Sequence, residues 1–248
     1  GGGGGGGAAP STQTQFVREA PGIEERKLEL MDLARDLTQK PEVLPAQQVA
    51  PLAALQQQGF RRSADQVYKP HCQFCNACQS IRLPVAKVSL SRSQKRILNK
   101  ASSFHINISQ QQSDDYYPLY EKYINTKHVG GVMYPAEKSQ LDSFITCDWM
   151  PPIYIELHHD DKLIAVAITD TTPDSLSAVY TFFDPDYSKY SIGTLMILQQ
   201  INLAKQLEMP WLYLGYFIEK CDKMNYKTRF SPYQIRSEGK WIEKNTKG

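Results

Sequence analysis

Residues 153–215 read IYIELHHDDKLIAVAITDTTPDSLSAVYTFFDPDYSKYSIGTLMILQQINLAKQLEMPWLYLG, and the order of patterns within them decides the fold. Ile153, Ile155 and Leu157 alternate as a half-buried strand does, His158 to Lys162 is a polar turn, and Leu163 to Thr169 predicts a second strand. Pro173-Asp174 marks another turn before a third strand over Ser177 to Phe183. From Ser188 to Met209 the period becomes helical, with Ile192, Leu195, Met196, Leu198, Ile201, Leu203 and Leu207 apolar, until Pro210 stops it. Trp211 to Gly215 returns as a strand. Antiparallel strands followed by a strand, helix, strand crossover predict an α+β fold, with a mixed, mostly antiparallel sheet packed against a buried helix.

Upstream of this stretch, residues 114–145 predict a helix rich in tyrosine (Tyr116, Tyr117, Tyr120, Tyr123), a turn at Gly130-Gly131 and a second helix around Leu141, Phe144 and Ile145. Earlier still, Ile81, Leu83, Val85 and Val88 predict a strand. Ser91 and Gln94 then form an S-x-x-Q capping box that opens a helix. On that helix Arg92, Lys95, Arg96 and Lys100 share one side while Ile97 and Leu98 take the other. Pro41, Pro45 and Pro51 punctuate a linker before a short helix, Leu52 to Gln58, that Gly59 closes, and residues 23–39 have helical character. Gly1 to Gly7 can form neither core nor site, so residues 1–10 are set aside as an artificial segment.

A chain of 248 residues with 41% hydrophobic content can bury roughly three quarters of its unfolded surface, enough for a packed enzyme. No run reaches the roughly 18 apolar residues of a membrane span and the start lacks a signal-peptide pattern, so the expectation is a cytoplasmic protein without membrane contact. Five cysteines, an odd number, fit reduced thiols better than a disulfide framework, and Cys147 and Cys221 read as small buried apolar residues. The net charge of +2 conceals an asymmetry, because residues 61–100 carry nine cations against Asp65 alone. Such a block in an otherwise acidic chain is the footprint of a polyanion, since neutralised phosphates release counterions. Within this block, before the strand that leads to its helix, stand Cys72, Cys75 and Cys78, which have metal-ligand spacing but supply three of the four ligands a closed zinc site needs.

Taken together, three groups of residues resemble one family. The first is Y-x-P-x-C-x-x-C-x-x-C at Tyr68 to Cys78, with Ile81 and Arg82 and then S-x-S-x-K-R-x-L from Ser91 to Leu98. The second is Tyr180-Thr181-Phe182-Phe183-Asp184-Pro185 followed by Ser191-Ile192-Gly193-Thr194, and the third is Trp211-Leu212-Tyr213-Leu214-Gly215-Tyr216 followed by Met224 and Tyr226 to Phe230. In this order they resemble the arginyl-tRNA–protein transferases, and within them the bacterial aspartate/glutamate leucyltransferase branch.

That resemblance implies a carboxyl-terminal domain with the acyltransferase fold of the GNAT superfamily over 105–248, behind a smaller cysteine-containing basic lobe over 11–104. It implies transfer of leucine from leucyl-tRNA to proteins with amino-terminal Asp or Glu, marking them for degradation, with charged tRNA as co-substrate and no required cofactor. Zinc or an iron–sulfur cluster at Cys72, Cys75 and Cys78 is a further implication, and reduced structural thiols are the alternative. Arg92, Lys95, Arg96 and Lys100 are assigned to tRNA phosphates, and Tyr180, Tyr213 and Tyr216 to the aminoacyl-adenosine end, beside Ser191 and Gly193 at a helix start. Lys227 and Arg229, with Arg61 and Arg62 in reserve, would meet the acceptor's carboxylate, and Asp170 or Asp184 would orient or deprotonate its amine. Arginyl transfer, an acyl-CoA N-acyltransferase lacking the usual glycine loop, and a non-catalytic cysteine-rich RNA-binding module remain open. DNA is not an expected partner.

Overall fold

The computed structural model describes residues 11–12, 52–63, 66–68, 79–147, 151–217 and 222–246. The predicted helix over 23–39, Cys72, Cys75, Cys78 and Cys221 lie outside the described residues. In chain order the elements are β1 (Ser11–Thr12), α1 (Leu52–Gln57), β2 (Arg61–Ser63), β3 (Gln66–Tyr68), β4 (Gln79–Pro84), α2 (Arg92–Lys100) and β5 (His105–Ser109). Then come α3 (Tyr116–Lys127), α4 (Lys138–Ile145), β6 (Ile153–His159), β7 (Lys162–Thr171), β8 (Ser175–Phe183), α5 (Ile192–Gln206), β9 (Trp211–Phe217), β10 (Tyr233–Ser237) and β11 (Lys240–Lys244).

Nine strands form one sheet in the order β1-β5-β6-β7-β8-β9-β4-β10-β11, while β2 and β3 pair separately as a two-stranded ribbon. Neighbours in the large sheet run antiparallel except β8 and β9, which are parallel and joined by α5. The expected mixed α+β sheet with its crossover helix is therefore present. Its central strands are buried on both faces, and the pleat sorts them. Ile153, Ile155, Leu157, Ala165 and Ala167 pack with α5, whereas Tyr154, Val166, Ile168 and Phe182 pack with α3 and α4. Strand β4 sits between β9 and β10, so a segment preceding residue 104 shares the sheet and core of the chain that follows it.

Local chemistry explains most boundaries. At α2 the capping box forms in full: Gln94 N–H donates to Ser91 Oγ at 3.1 Å and Ser91 N–H to Gln94 Oε1 at 2.9 Å. Gly59 ends the α1 segment at φ 92°, which glycine adopts without penalty. The predicted helix over 188–209 divides, because Ser191 takes the left-handed conformation (φ 53°, ψ 52°). A 3₁₀ turn over Pro185–Tyr190 precedes it and α5 follows. The strand expected to include Val85 and Val88 stops at Pro84, and both valines remain buried beside a 3₁₀ turn, Val85–Lys87.

Candidate functional site

Between the carboxyl-terminal part of β8, the start of α5 and the end of β9 lies a cleft of about 610 Å³. Helix α3 supplies a wall through Tyr123 and Lys127, β2 contributes Arg61, and the 3₁₀ turn Asp222–Arg229 brings Met224, Tyr226 and Lys227. The parallel pair β8/β9 is what opens the space, since a crossover helix leaves its amino-terminal end above the carboxyl ends of the strands it joins.

Two cations converge on Gly215. A Cβ there would lie 3.2 Å from Arg61 Nη1 and 3.4 Å from Lys227 Nζ. Lys227 donates to the Tyr216 carbonyl at 2.6 Å, and Arg61 Nη2 to the Ala178 carbonyl at 2.6 Å, so both side chains are held by backbone on opposite strands of the parallel pair. Both residues are buried. Gly215 itself has φ +88°, where a side chain is strained. Gly215→Ala is expected to cost about 1–2 kcal/mol from backbone strain, lowering the melting temperature by roughly 2–8 °C for a chain of this size. An unchanged melting temperature in calorimetry would show that the site yields without strain.

Ser191 and Gly193 also line the cleft. Ser191 makes no side-chain capping bond despite its position, and nothing lies within 4 Å of where a Gly193 Cβ would be. The unpaired amides of the first turn of α5 therefore end at an open surface. Tyr180 lines the cleft from β8, its ring stacked on Phe144 at 4.4 Å between centroids, and burial raises its phenol above the ordinary tyrosine value. Burial likewise pushes Tyr123 up to about 12.

The remaining expected site residues lie elsewhere. Asp170 is buried and both its oxygens accept from Arg62, at 2.7 and 2.8 Å. Arg61 and Arg62 are consecutive on β2, so the alternation of strand side chains sends one to the cleft and the other to Asp170. Asp184 is buried between Lys122 (2.8 Å) and Lys162 (2.9 Å) and caps the Asp186 amide. Burial alone would raise its pKa, but these partners outweigh it and hold the carboxyl below its ordinary value. Tyr213 faces away from Tyr216, its hydroxyl receiving Arg82 Nη1 at 3.2 Å, and the Arg82 guanidinium lies over the Trp211 and Trp241 rings at 3.5 and 4.0 Å. Arg229 is exposed and does not line the cleft, and its carbonyl accepts from Gln94 at 3.1 Å. On α2, Arg92, Lys95, Arg96 and Lys100 are exposed while Gln94 and Leu98 are buried, which is the striped helix expected.

Among the described residues no group of three or more His, Cys, Asp or Glu side chains is placed to hold a metal ion, and no helix is long and apolar enough to cross a membrane. The tyrosine helix was visible in the sequence without an assigned role. Its Tyr123 and Lys127, four residues apart and hence on one face, are the wall residues that reasoning from motifs missed.

Two family models match the chain: the arginine-tRNA-protein transferase amino terminus over residues 21–96 and its carboxyl terminus over 115–237. The aspartate/glutamate leucyltransferase of Pseudoalteromonas atlantica is 52% identical over 74% of this chain and 79% of its own. That of Aeromonas salmonicida is 48% identical over 76% and 79%. A solved tandem GNAT protein from the clavulanic acid biosynthesis pathway covers 91% of this chain and 71% of its own, at 16% identity and a TM-score of 0.36. With both halves of the family signature present in order, and about half of all aligned positions identical to its leucyltransferase members, the chain belongs to the arginine-tRNA-protein transferase family of aminoacyltransferases.

Proposed function

We propose that the chain moves leucine from leucyl-tRNA onto the α-amine of proteins that begin with Asp or Glu, in the cytoplasm, marking them for degradation. The observation that carries this reading is the meeting of two buried cations, Arg61 and Lys227, with an open helix start at one cleft. The relatives' printed name, aspartate/glutamate leucyltransferase, supplies the donor and the acceptors.

In the reaction the acceptor's neutral amine attacks the ester carbonyl. The new C–N bond forms, the ester C–O bond breaks, and the ribose oxygen leaves with the proton the amine gives up. The ester is already activated, so alignment and stabilisation of the developing oxyanion supply most of the acceleration. Tyr180, a phenol protonated at neutral pH, is suited to donate to that oxygen, and the α5 amides beside Ser191 and Gly193 suit a phosphate or ribose of the terminal nucleotide. Arg61 and Lys227 suit the acceptor's carboxylate. They also lower the pKa of an α-ammonium brought near them, which enlarges the reactive neutral fraction at pH 7. On this reading the 11–104 lobe contributes Arg61 and the basic helix, and residues 105–248 contribute the rest of the cleft.

Incubation with leucyl-tRNA or arginyl-tRNA and peptides starting with Asp, Glu, Arg or Ala, read by mass spectrometry, tests the proposal. The expected gain is one leucine on the Asp and Glu peptides alone. Arginine transfer without leucine transfer would refute the donor.

A further inference from the structure

Among the described residues, three exposed lysines pair with carboxylates. Lys87 pairs with Glu243, Lys122 with Asp184 and Asp186, and Lys162 with Asp184. Arg92, Lys95, Arg96, Lys100 and Lys189, like the exposed Lys127, Lys138, Lys205, Arg229, Lys240 and Lys244, pair with no carboxylate among the described residues, but these five lie on one helix and the turn joined to it. Four belong to α2. The fifth, Lys189, sits on the 3₁₀ turn Pro185–Tyr190, and it is physically tied to the helix. Lys100 Nζ donates to the Lys189 carbonyl at 2.9 Å, and both ammonium groups stand 5.2 Å from the centre of the Tyr190 ring. Tyr190 is fixed in turn by edge contact with Phe104 at 4.8 Å.

The turn also reaches the cleft, because Ser188 and Ser191, one residue before Lys189 and two after, line it. Its own anions do not offset Lys189: Asp184 and Asp186 are taken up by Lys122 and Lys162. These five contiguous cations form a track with a direction. It begins at Arg92 and Arg96, passes Lys100 at the end of α2, and arrives through Lys189 at the cleft mouth.

We propose that Lys189 and Lys100 form a phosphate-binding site for the single-stranded 3′ end of the charged tRNA, at the point where it leaves the duplex phosphates held by Arg92 and Arg96 and enters the cleft. The inference rests on the transferase reading and adds the path of the RNA to it. A surface of unpaired cations retains its attraction for phosphates, whereas a lysine already paired must give up its carboxylate first. The Lys100–Lys189 junction is also the part of the track whose geometry is set by the protein, through one hydrogen bond and one buried aromatic edge. The rest of α2 can contact duplex phosphates at any of several registers.

The test uses the full chain with leucyl-tRNA and with a short 3′-leucylated oligonucleotide that has the same terminal nucleotides but no duplex. Lys189→Glu is expected to weaken binding of both roughly fivefold or more and to reduce the slope of log affinity against log salt by about 1. Arg92→Glu with Arg96→Glu is expected to weaken the tRNA strongly and the oligonucleotide far less. Lys240→Glu, on the edge strand β11, serves as a charge-matched control and keeps wild-type affinity. Because all these positions are exposed, unchanged melting temperatures will show that the variants fold. Wild-type affinity and salt slope in Lys189→Glu overturn the proposal, as does an equal loss on both RNAs in the Arg92, Arg96 variant. Failure of the wild type to transfer leucine, with the binding pattern intact, would strike the function reading instead.

Discussion

Replacing Lys227 by Met is expected to lower transfer to Asp- and Glu-initiated peptides by roughly 30- to 1000-fold while changing leucyl-tRNA affinity by no more than about threefold. The size follows from what the substitution leaves behind. An acceptor carboxylate drawn into the cleft without one of its two cations bears an uncompensated desolvation cost, and losing one partner of such a pair is worth about 2–4 kcal/mol. Met keeps the length of the side chain, and the lost hydrogen bond to the Tyr216 carbonyl costs on the order of 1 kcal/mol of stability. The loss should therefore be felt mainly in reaction with the acceptor. Arg229→Glu, two residues away but exposed and outside the cleft, is expected to change acceptor preference little. Steady-state kinetics with Asp, Glu and Ala peptides decides between them. Equal losses in tRNA affinity and transfer, with the ranking of acceptors unaltered, would move the carboxylate away from Lys227.

The contrast between Lys227 and Arg229 shows how far the sequence could be read. Both cations are plain in the run Tyr226 to Phe230, but which of them faces the cleft depends on a 3₁₀ turn whose phase no periodicity announces. Tyr213 and Tyr216 are a partial contrast. Simple alternation already separates them, but Gly215, at positive φ, interrupts the strand's pleat and lets Leu214, Gly215 and Tyr216 all border one space. Arg61 and Arg62 were legible only as a pair. Once they are known to lie on a strand, opposite faces follow, but their three-residue strand is too short to give a pattern. The long-range order was more readable where it is carried by local signals, as in the β6 to β9 succession and the Ser91 capping box. The insertion of β4 between β9 and β10 was not, because pairing between strands about 130 to 150 residues apart leaves no mark on either strand's own pattern.

The largest expected effect on stability belongs to Asp170. Its carboxylate and the Arg62 guanidinium are joined by two hydrogen bonds, with side chains 2% and 1% exposed, and this pair fastens the ribbon strand β2 to the large sheet at β7. The paired carboxylate more than offsets burial and raises the Arg62 pKa, so the cation cannot escape by losing its proton. Asp170→Ala leaves that charge buried without its partner, at a cost of about 3–5 kcal/mol. For a chain of this size the melting temperature should fall by roughly 6–20 °C. Exchanging both members, Arg62→Met with Asp170→Leu, removes the charge along with its partner, so most of that loss is expected to be recovered. The double variant also separates two roles. If Asp170 acts only by holding β2, and through β2 the neighbouring Arg61, the refolded double variant should retain most of its leucine transfer per folded molecule. If instead Asp170 deprotonates the acceptor's amine, transfer should stay low after stability returns, and raising the pH, which supplies neutral amine from solution, should restore it in part.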